Sequence, residues 1–544
     1  MKYSNIYPPC ATSWERHHRL ARAVTLAVGG LILPAAQAFQ FDTGNPDLQT
    51  RWDNTIKYSN SWRLNKLDDK VAGPSGNPNV NDSDHNFSRG LISNRLDILS
   101  EFDLRYKRDY GLRVSGAGWY DDVYNHSNDN DGSTFVNSQS VQHDHFTRET
   151  EKLHGRKAEF LDAFVYGRFA VGETDLNLKA GQFAQIYGES LFFGTNGIAV
   201  AQLTPDVIKA TSVPGAQVKE IMMPIKQLSA SWQLNPDLTL GAYYQLEWRK
   251  ARLPAAGSYF SFADFVDQGG ESLLTPYGTL TRGKDQHARN SGQGGMQLKY
   301  KAGDYEFGLY AAQFHDKFPQ FYANALDYEL VYGEDIKTVG ASISTLIGET
   351  NVAAEVSVRN NMPLVATGNT IFLPPENANN SSHPAYPVGN TLHANISAIN
   401  VLAASPFWQG ATLLGEVAFN RRMSVTKNAD QLDPNATRDA TSMRVEFKPE
   451  YFQVLPQVDL QVPINVGYGL AGRSSVNGAG FLPDGGGDIS IGLKADYQKT
   501  WYAAANYTHF YGSANGVVDA TGTLTYDQYY RDRDFISFSI QRSF

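Results

Sequence analysis

Charged residues of both signs alternate with apolar residues along two early stretches of the chain, 48–64 and 91–106. The charged positions that we assign to a solute-lined interior on this basis are Arg51, Asp53, Lys57, Arg95, Asp97 and Glu101. Acids and bases on neighbouring strands can pair in cross-strand ladders, which keep a wide interior polar. The same charges can instead set up a field that orients charged solutes. Both interpretations remain open from the residues alone.

A second group of candidate residues lies in the segment 184–224, which differs from the other long connections. It is rich in Phe, Ile, Leu and Val, whereas the others are rich in Asn, Asp, Gly and Ser. Because an apolar segment of this length is unfavourable in water, we expect it to fold inward as a constriction or plug. The alternative is a lid that packs on neighbouring loops. The residues predicted to contact solute are Glu189, Phe192, Phe193, Asn196, Asp206, Lys209, Lys219 and Glu220.

Catalytic and metal-binding motifs are missing from the sequence. It contains no G-x-S-x-G, no H-E-x-x-H and no Walker-type glycine loop, so we predict that the protein is not an enzyme. The run 127–132 resembles half of a calcium loop, but Ser127 and Ser138 stand where acids are needed. The run 143–145 offers two His without a third ligand. We therefore predict no metal site and no cofactor.

Amphipathic strands must position these residues. In 48–64 the even positions are largely apolar and carry Trp52 and Trp62, ten positions apart. In a strand tilted as in a barrel, this interval spans roughly 25 Å, which is about the height of the apolar band of an outer-membrane barrel. In the stretch 157–170 the sequence does not decide which face is apolar, because Asp162 falls on the same side as Phe160 and Phe164.

The same alternation recurs to the last residue and predicts about eighteen strands. They are 48–64, 91–106, 112–124, 157–170, 174–183, 225–234, 238–248, 292–301, 304–315, 335–347, 351–359, 391–402, 410–423, 441–448, 457–469, 488–497, 500–511 and 534–544. Their connections alternate between short and long, whereas a secreted β-sandwich has turns of similar length at both ends. We predict an all-β fold: one membrane-spanning antiparallel β-barrel over residues 39–544, with short periplasmic turns and long extracellular loops.

The N-terminus has the pattern of an export signal. A charged region at 16–22 precedes the apolar run 23–35, and Ala36-Gln37-Ala38 fits a small-x-small cleavage site. We predict a signal peptide over 1–38 and export to the outer membrane. The single cysteine, Cys10, would leave with it, which argues against disulfides and thiolate metal sites. The net charge of −9 argues against a nucleic-acid partner.

Three features resemble a known family. They are the Phe-x-Phe start at 39–41, the run GQF…YGES…NGI…PD…PG…KE…P at 181–224, and the terminal strand FISFSIQRSF. Together they resemble domain of unknown function 1302, a family of proteobacterial outer-membrane proteins. Arg542 departs from the usual terminal signal, which has an apolar residue there. The resemblance supplies no catalytic residues.

The resemblance implies a trans-envelope role in moving an apolar molecule. The expected partners are outer-membrane lipid and lipopolysaccharide, the outer-membrane assembly machinery, a periplasmic carrier and an inner-membrane permease. With the residue patterns, it leads us to expect a channel or transporter for hydrophobic or amphipathic small molecules, which pass through a constricted lumen. The alternatives are a general diffusion porin and an adhesive or structural surface barrel.

Overall fold

The molecule is built around one closed β-barrel. The computed structural model describes residues 39–41, 43–72, 77–133, 135–214, 218–519 and 521–544, so the predicted signal peptide lies outside the described residues. Eighteen antiparallel strands form the wall, each paired with the next along the chain. The last strand pairs with the first, with Thr55 opposite Ser543 and Arg63 opposite Phe535, so the sheet has no free edge.

The wall strands, numbered in chain order, are β1 (Leu48–Arg63), β2 (Gly90–Tyr106), β3 (Tyr110–Asp121), β4 (Arg156–Val171), β5 (Thr174–Phe183), β6 (Ile225–Asn235), β7 (Leu238–Gln245), β8 (Gln293–Ala302), β9 (Tyr305–Phe314), β10 (Ile336–Ile347), β11 (Thr350–Pro363), β12 (Val388–Leu402), β13 (Gly410–Lys427), β14 (Asp439–Leu455), β15 (Val458–Gln461 and Ile464–Ala471), β16 (Gly487–Tyr497), β17 (Trp501–Tyr511) and β18 (Phe535–Ser543). A short strand, Phe39–Phe41, pairs with β1.

Helical turns occur only in the connections of the described chain. They are Asp69–Ala72, Asp82–His85, Val123–Asn125, Arg148–Thr150, Glu151–Gly155, Ile198–Ala201, Val207–Ser212, Val218–Ile221, Thr367–Asn369 and Ala429–Gln431. No helix within the described ranges is both long and apolar enough to cross a membrane.

The predicted barrel is confirmed: the number of strands and the alternation of short and long connections both agree with the prediction. Short turns such as 348–349 join strands at one end, the turn end, and long segments such as 246–292 join them at the other, the loop end. In β4, a bulge resolves the ambiguous stretch: the register shifts between Val114 and Gly116 of β3. Phe160 therefore faces outward, 74% exposed, while Asp162 and Phe164 face inward.

Large apolar side chains cover the outer face of the barrel. Exposed examples on separate strands are Ile98, Leu309, Val356 and Ile396. Alternate residues of the same strands face inward and are mostly polar, as expected for a wall between lipid and water. At the turn end, Arg542 places its guanidinium 5.2 Å from the ring centre of Trp501, so this departure from the terminal signal is covered by an aromatic face.

The long connections build a cap over the loop end. Five strands within them form a second sheet: Ser272–Thr275, Gly278–Arg282, Gln320–Ala323, Asp327–Val331 and Thr370–Phe372. Tyr328 and Leu330 of this sheet, together with Tyr332, pack with Phe265 in a buried apolar cluster. Apolar character is therefore not confined to 184–224, which is where the sequence analysis placed it. In the cap connections the apolar residues are dispersed among Gly, Asp and Ser, so the sequence pattern did not reveal this apolar cluster.

Buried ion pairs fasten the cap to the barrel rim. Arg63 at the end of β1 contacts Asp532 at 2.7 Å, and Arg533 pairs with Asp84. All four side chains are almost completely buried. Removing one partner of such a pair leaves an uncompensated buried charge, so these contacts fix how the connections sit on the barrel.

His154 makes part of the cap sensitive to acid. It is 3% exposed, its Nε2 accepts a hydrogen bond from the backbone N–H of Ala255 at 3.1 Å, and burial lowers its pKa to about 3. The unfolded chain binds a proton near pH 6.5. Stability from neutral His154 is therefore present above that pH and is lost as pH falls. Lowering pH from 7 to 4.5 should cost about 2–3 kcal/mol through this residue.

This prediction is checked by thermal unfolding in detergent, followed by circular dichroism at both pH values. His154→Gln keeps a hydrogen-bond acceptor but does not titrate in this range. The variant should therefore lose less stability on acidification than the wild type; equal losses in the two proteins would contradict the prediction.

Candidate functional site

Residues 184–224, here called the inner segment, lie against the inward face of the wall. That face is identified on β11, where Glu355, Ser357 and Arg359 are buried and the intervening Val356 is 44% exposed. The inner segment runs from the end of β5 to the start of β6. None of its described residues joins the ladders of the wall, although Pro205 and Val207 exchange backbone hydrogen bonds with Arg252 of the connection 246–292. Its attachment to the wall strands is made by side chains.

Glu416 on β13 is the first anchor of the inner segment. Its carboxylate accepts hydrogen bonds from the backbone N–H groups of Leu191 at 3.1 Å, Phe193 at 2.9 Å and Phe192. The hydroxyl of Ser190 donates to the same carboxylate at 2.8 Å. Consecutive N–H groups pointing at one anion form a nest, and the charge makes each bond stronger than a neutral one.

Glu355 on β11 is the second anchor. Its carboxylate accepts from the backbone N–H groups of Glu189 at 2.6 Å and Ile198 at 3.0 Å. The chain approaches so closely here that a side chain at Gly188 or Gly197 would collide with the carboxylate oxygens. Gly188 also has a φ of +96°, which is unfavourable for other residues. The glycines of the YGES and NGI motifs therefore permit this contact.

Asn196 connects the inner segment to the inward face of β12 and β13. Its side chain donates to Asn395 Oδ1 at 2.7 Å and lies 2.9 Å from His393 Nδ1. Arg359 donates to the carbonyl oxygen of Gly197 at 2.9 Å. Asn196 and Arg359 are fully buried, so one side of the inner segment is fixed to the wall.

The other side of the inner segment is attached to the opposite part of the wall. Asp206 pairs with Arg252 at 2.7 Å, and Arg252 in turn donates to Glu159 of β4 at 2.9 Å. Lys57 of β1 donates to the carbonyl oxygen of Pro214 at 3.3 Å. Because these contacts lie on β1 and β4 whereas the glutamate anchors lie on β11 and β13, the segment crosses the barrel interior.

A short helix, Val207–Ser212, is the part of the inner segment nearest β1–β4. Asp206 caps it by accepting the N–H of Lys209 at 3.0 Å. The Lys209 side chain is buried, with its ammonium 5.7 Å from the ring centre of Trp119. Asp206 thus joins the helix start to the ion pair with Arg252, which fixes the position of the helix.

A cavity of about 440 Å³ lies at the loop end, on the side of the inner segment that faces β14–β17. Five aromatic residues contribute to its lining: Phe481, Phe510, Tyr526, Tyr529 and Tyr530. Thr211 of the inner segment also borders it, together with Arg444 and Asp488, which form an ion pair at 2.7 Å. The cavity is therefore aromatic, with a paired charge at its base.

A second cavity, of about 610 Å³, lies toward the turn end against β4–β8. It is bordered by Gln185–Gly188 of the inner segment and by inward side chains that include Phe164, Tyr166, Lys179 and Lys299. Burial raises the pKa of Tyr187 to about 12, so its hydroxyl stays protonated at this border. The same segment thus borders both cavities.

Lys179 is the least neutralised cation of the second cavity. Its ammonium lies 3.7 Å from the ring centre of Phe164 and 4.0 Å from that of Phe183. It has no ion pair within the described part of the chain, whereas Lys299 is paired with Glu189 at 2.7 Å and with Glu306 at 2.6 Å. A cation over aromatic rings, open to a cavity, suits a solute with an apolar body and an anionic group.

The predicted site residues separate into two groups in the structure. Those of β1 and β2 lie on the inward face, where Arg51 pairs with Asp53 at 2.6 Å and Arg95 with Asp97 at 2.8 Å. Glu101 pairs with Arg113 of β3.

In the inner segment, Phe193 packs on Phe481, with ring centres 5.9 Å apart, and Phe192 is half-buried. Glu189 contacts Lys299, while Asn196, Asp206 and Lys209 make the contacts described above. The carboxylate of Glu220 interacts electrostatically with the ammonium of Lys57. The Lys219 side chain lies outside the described residues.

Sequence reasoning missed the residues that hold the inner segment: the wall residues Glu159, Glu355, Arg359, His393, Asn395 and Glu416, and Arg252 of the connection 246–292. All but Arg252 lie in predicted strands, and their polar character on an inward face was the available signal. Their partners are about 50–220 residues away in sequence, and strand alternation carries no information about such contacts.

Comparison with known protein families identifies the family. The model of a protein family of unknown function, DUF1302, matches residues 19–544. The chain belongs to the DUF1302 family. The resemblance noted in the sequence is thereby confirmed. A search of curated proteins finds no match for this DUF1302 protein.

Solved structures similar to this DUF1302 protein are outer-membrane proteins of low sequence identity. OccAB4 of Acinetobacter baumannii is 9% identical, with 92% of this chain and 100% of that chain covered and a TM-score of 0.42. OccK2 (OpdF) of Pseudomonas aeruginosa, in complex with glucuronate, is 11% identical, with 93% and 99% covered and a TM-score of 0.40. The channel DcaP of A. baumannii is 10% identical, with 94% and 100% covered and a TM-score of 0.37.

Replacing Glu416 by Gln should loosen the inner segment without opening the wall. The neutral amide has one acceptor oxygen in place of two, so several backbone N–H groups lose a charged partner. At about 1.5–3 kcal/mol for such bonds, amide exchange at Leu191–Phe193 should accelerate by roughly 10- to 100-fold. Hydrogen–deuterium exchange with mass spectrometry measures this directly.

The matched control is Glu446→Gln, on the same inward face of the neighbouring strand β14. Glu446 has no ion pair among the described residues, so its substitution should leave exchange at 191–193 unchanged. Equal exchange in the Glu416 variant and the wild type would show that Glu416 does not anchor the segment.

Proposed function

We propose that this DUF1302 protein is an outer-membrane channel that passes hydrophobic or amphipathic small molecules through a constricted lumen. The observation that carries the proposal is the attachment of the inner segment to opposite parts of the wall. Glu355 and Glu416 hold it on one side, and Lys57 and, through Arg252, Glu159 hold it on the other. A segment held at both sides narrows a barrel whose width side chains alone cannot fill.

The proposed route runs from the loop-end cavity to the turn-end cavity. Thr211 borders the first cavity and Gln185–Gly188 border the second, so a solute moving between them must pass the inner segment. In an outer-membrane barrel the long loops face outward and the short turns face the periplasm. The route therefore connects the cell exterior with the periplasm, where a carrier and an inner-membrane permease would take over the solute.

The linings of the two cavities support an amphipathic solute. The loop-end cavity offers aromatic faces such as Phe510 and Tyr530, which favour apolar groups over small ions. The turn-end cavity adds the open cation of Lys179 beside Phe164. We infer that solutes with an apolar body and an anionic group fit both cavities better than neutral sugars do.

Removing both anchors should raise single-channel conductance in planar bilayers. In the double variant Glu355→Ala, Glu416→Ala the inner segment loses its charged attachments to β11 and β13, and its backbone N–H groups turn to water. The expected result is a several-fold larger conductance step with greater current noise, because a wide barrel is then only partly filled.

Folding of the double variant is checked by its resistance to heat in detergent gels, and the matched control is Glu446→Gln. An unaltered conductance in a correctly folded double variant would contradict the hypothesis that the inner segment constricts the lumen. Large, quiet conductance steps from the wild type would instead favour a general diffusion porin, and a wild-type protein without conductance would favour an adhesive or structural barrel.

Replacing Lys179 by Met tests the solute class. Met keeps most of the packing on Phe164 and Phe183 but removes the charge. Octanoate should then block the channel current about 5- to 10-fold more weakly, which corresponds to about 1 kcal/mol. Block by the uncharged octanol should change little. The measurement is the half-blocking concentration of each compound in planar bilayers.

The control for this experiment is Lys494→Met, which removes an inward-facing cation of β16 that does not border the turn-end cavity. It should leave octanoate block as in the wild type. If both lysine variants weaken the block equally, the effect is general electrostatics of the lumen and not binding at Lys179.

A further inference from the structure

Two buried acids of the cap lack cationic partners. Asp82 belongs to the connection 64–89 and is 8% exposed, whereas Asp264 belongs to the connection 246–292 and is 2% exposed. Neither forms an ion pair within the described part of the chain, although the nearby acid Asp84 is paired with Arg533. A buried carboxylate without a counter-charge is strongly unfavourable, so this pair needs an explanation.

Each of the two carboxylates uses only one oxygen. Asp264 Oδ2 accepts the backbone N–H groups of Asn81 at 2.7 Å and Asp82 at 3.1 Å. Asp82 Oδ2 accepts the N–H of Asn137 at 3.3 Å. The Oδ1 atoms of Asp82 and Asp264 are both enclosed and have no hydrogen-bond partner. Such orphaned acceptors are uncommon inside proteins and often indicate a missing ion or water.

Both acids border one small cavity of about 20 Å³, which is large enough for a single ion or water. Its lining also includes the neutral oxygen-bearing side chains of Asn86, Ser138 and Thr147, apolar residues such as Phe146, and the exposed imidazoles of His143 and His145. The negative charges are crowded there.

The ligand set distinguishes between classes of metal. Although His143 and His145 border the cavity, no three His, Cys, Asp or Glu side chains of the described residues converge as a zinc or other transition-metal site would require. Two carboxylates supplemented by hydroxyl, amide and water oxygens are instead a set that Ca²⁺ accepts, because it takes six to eight oxygen ligands in flexible geometry.

We propose that Asp82 and Asp264 bind a calcium ion in the cap, with the remaining ligands supplied by neutral oxygens of the cavity and by water. The ion neutralises both carboxylates and joins the connection 64–89 to the connection 246–292. It thereby cross-links two loops that come from distant parts of the chain. The sequence analysis predicted no metal site, since the two acids are separated by more than 180 residues.

Calcium binding is tested on the full chain, refolded in detergent without lipopolysaccharide, which itself binds calcium. Protein stripped with EDTA is titrated with CaCl₂ to about 10 mM, a range that covers weak extracellular sites. Equilibrium dialysis with ⁴⁵Ca should give one saturable site per chain. The melting temperature should rise with calcium and then level off, because an ion that binds only the folded state stabilises it.

The substitution Asp264→Asn should abolish both the saturable site and the shift in melting temperature. Asp131→Asn, which removes an exposed acid of the same cap, should change neither. If a variant fails to fold, the dialysis stoichiometry of the wild type still decides. Absence of a saturable site up to 10 mM, or equal binding by wild type and Asp264→Asn, would overturn the proposal. The two carboxylates would then be explained by a proton that they share.

Discussion

The capture of backbone N–H groups by two carboxylates on the wall is the interaction on which the interior of this barrel depends. A loop that enters a lumen brings polar backbone groups with it, and each needs a partner there. Glu416 accepts three consecutive N–H groups and Glu355 accepts two more. An anion offers several acceptor positions at one point, so a single side chain from a rigid strand can organise a whole turn of the inner segment.

The two cavities follow from this arrangement. Contacts on β11–β13 and on β1–β4 hold the inner segment across the interior, and the remaining space divides into a loop-end cavity beside β14–β17 and a turn-end cavity beside β4–β8. Residues of the long connections 472–486 and 512–534, such as Phe481 and Tyr526, border the first cavity. The apolar and charged linings are therefore placed in sequence along one proposed route.

Sequence patterns predicted most of the wall but little of the interior. Alternation over two residues is a local property, so all eighteen strands and the turn and loop ends could be predicted. The bulge at Phe160–Asp162 could not, because one extra residue exchanges the faces without changing composition. The partners of Glu355 and Glu416 are set by how the ring closes, and the cap sheet pairs short strands from three connections. Neither these long-range contacts nor the cap-sheet pairings leave a periodic signal in the sequence.

The inner segment is joined to the wall by side chains and not by strand pairing. The ladders of the described strands close without it, from β1 through β18. Barrel and insert are therefore separable units of one chain. The residues between Phe183 and Ile225 can change in length and character while the wall keeps its own hydrogen bonds. Exchange of these some forty residues would therefore alter the interior and leave the hydrogen-bonded scaffold that inserts into the membrane unchanged.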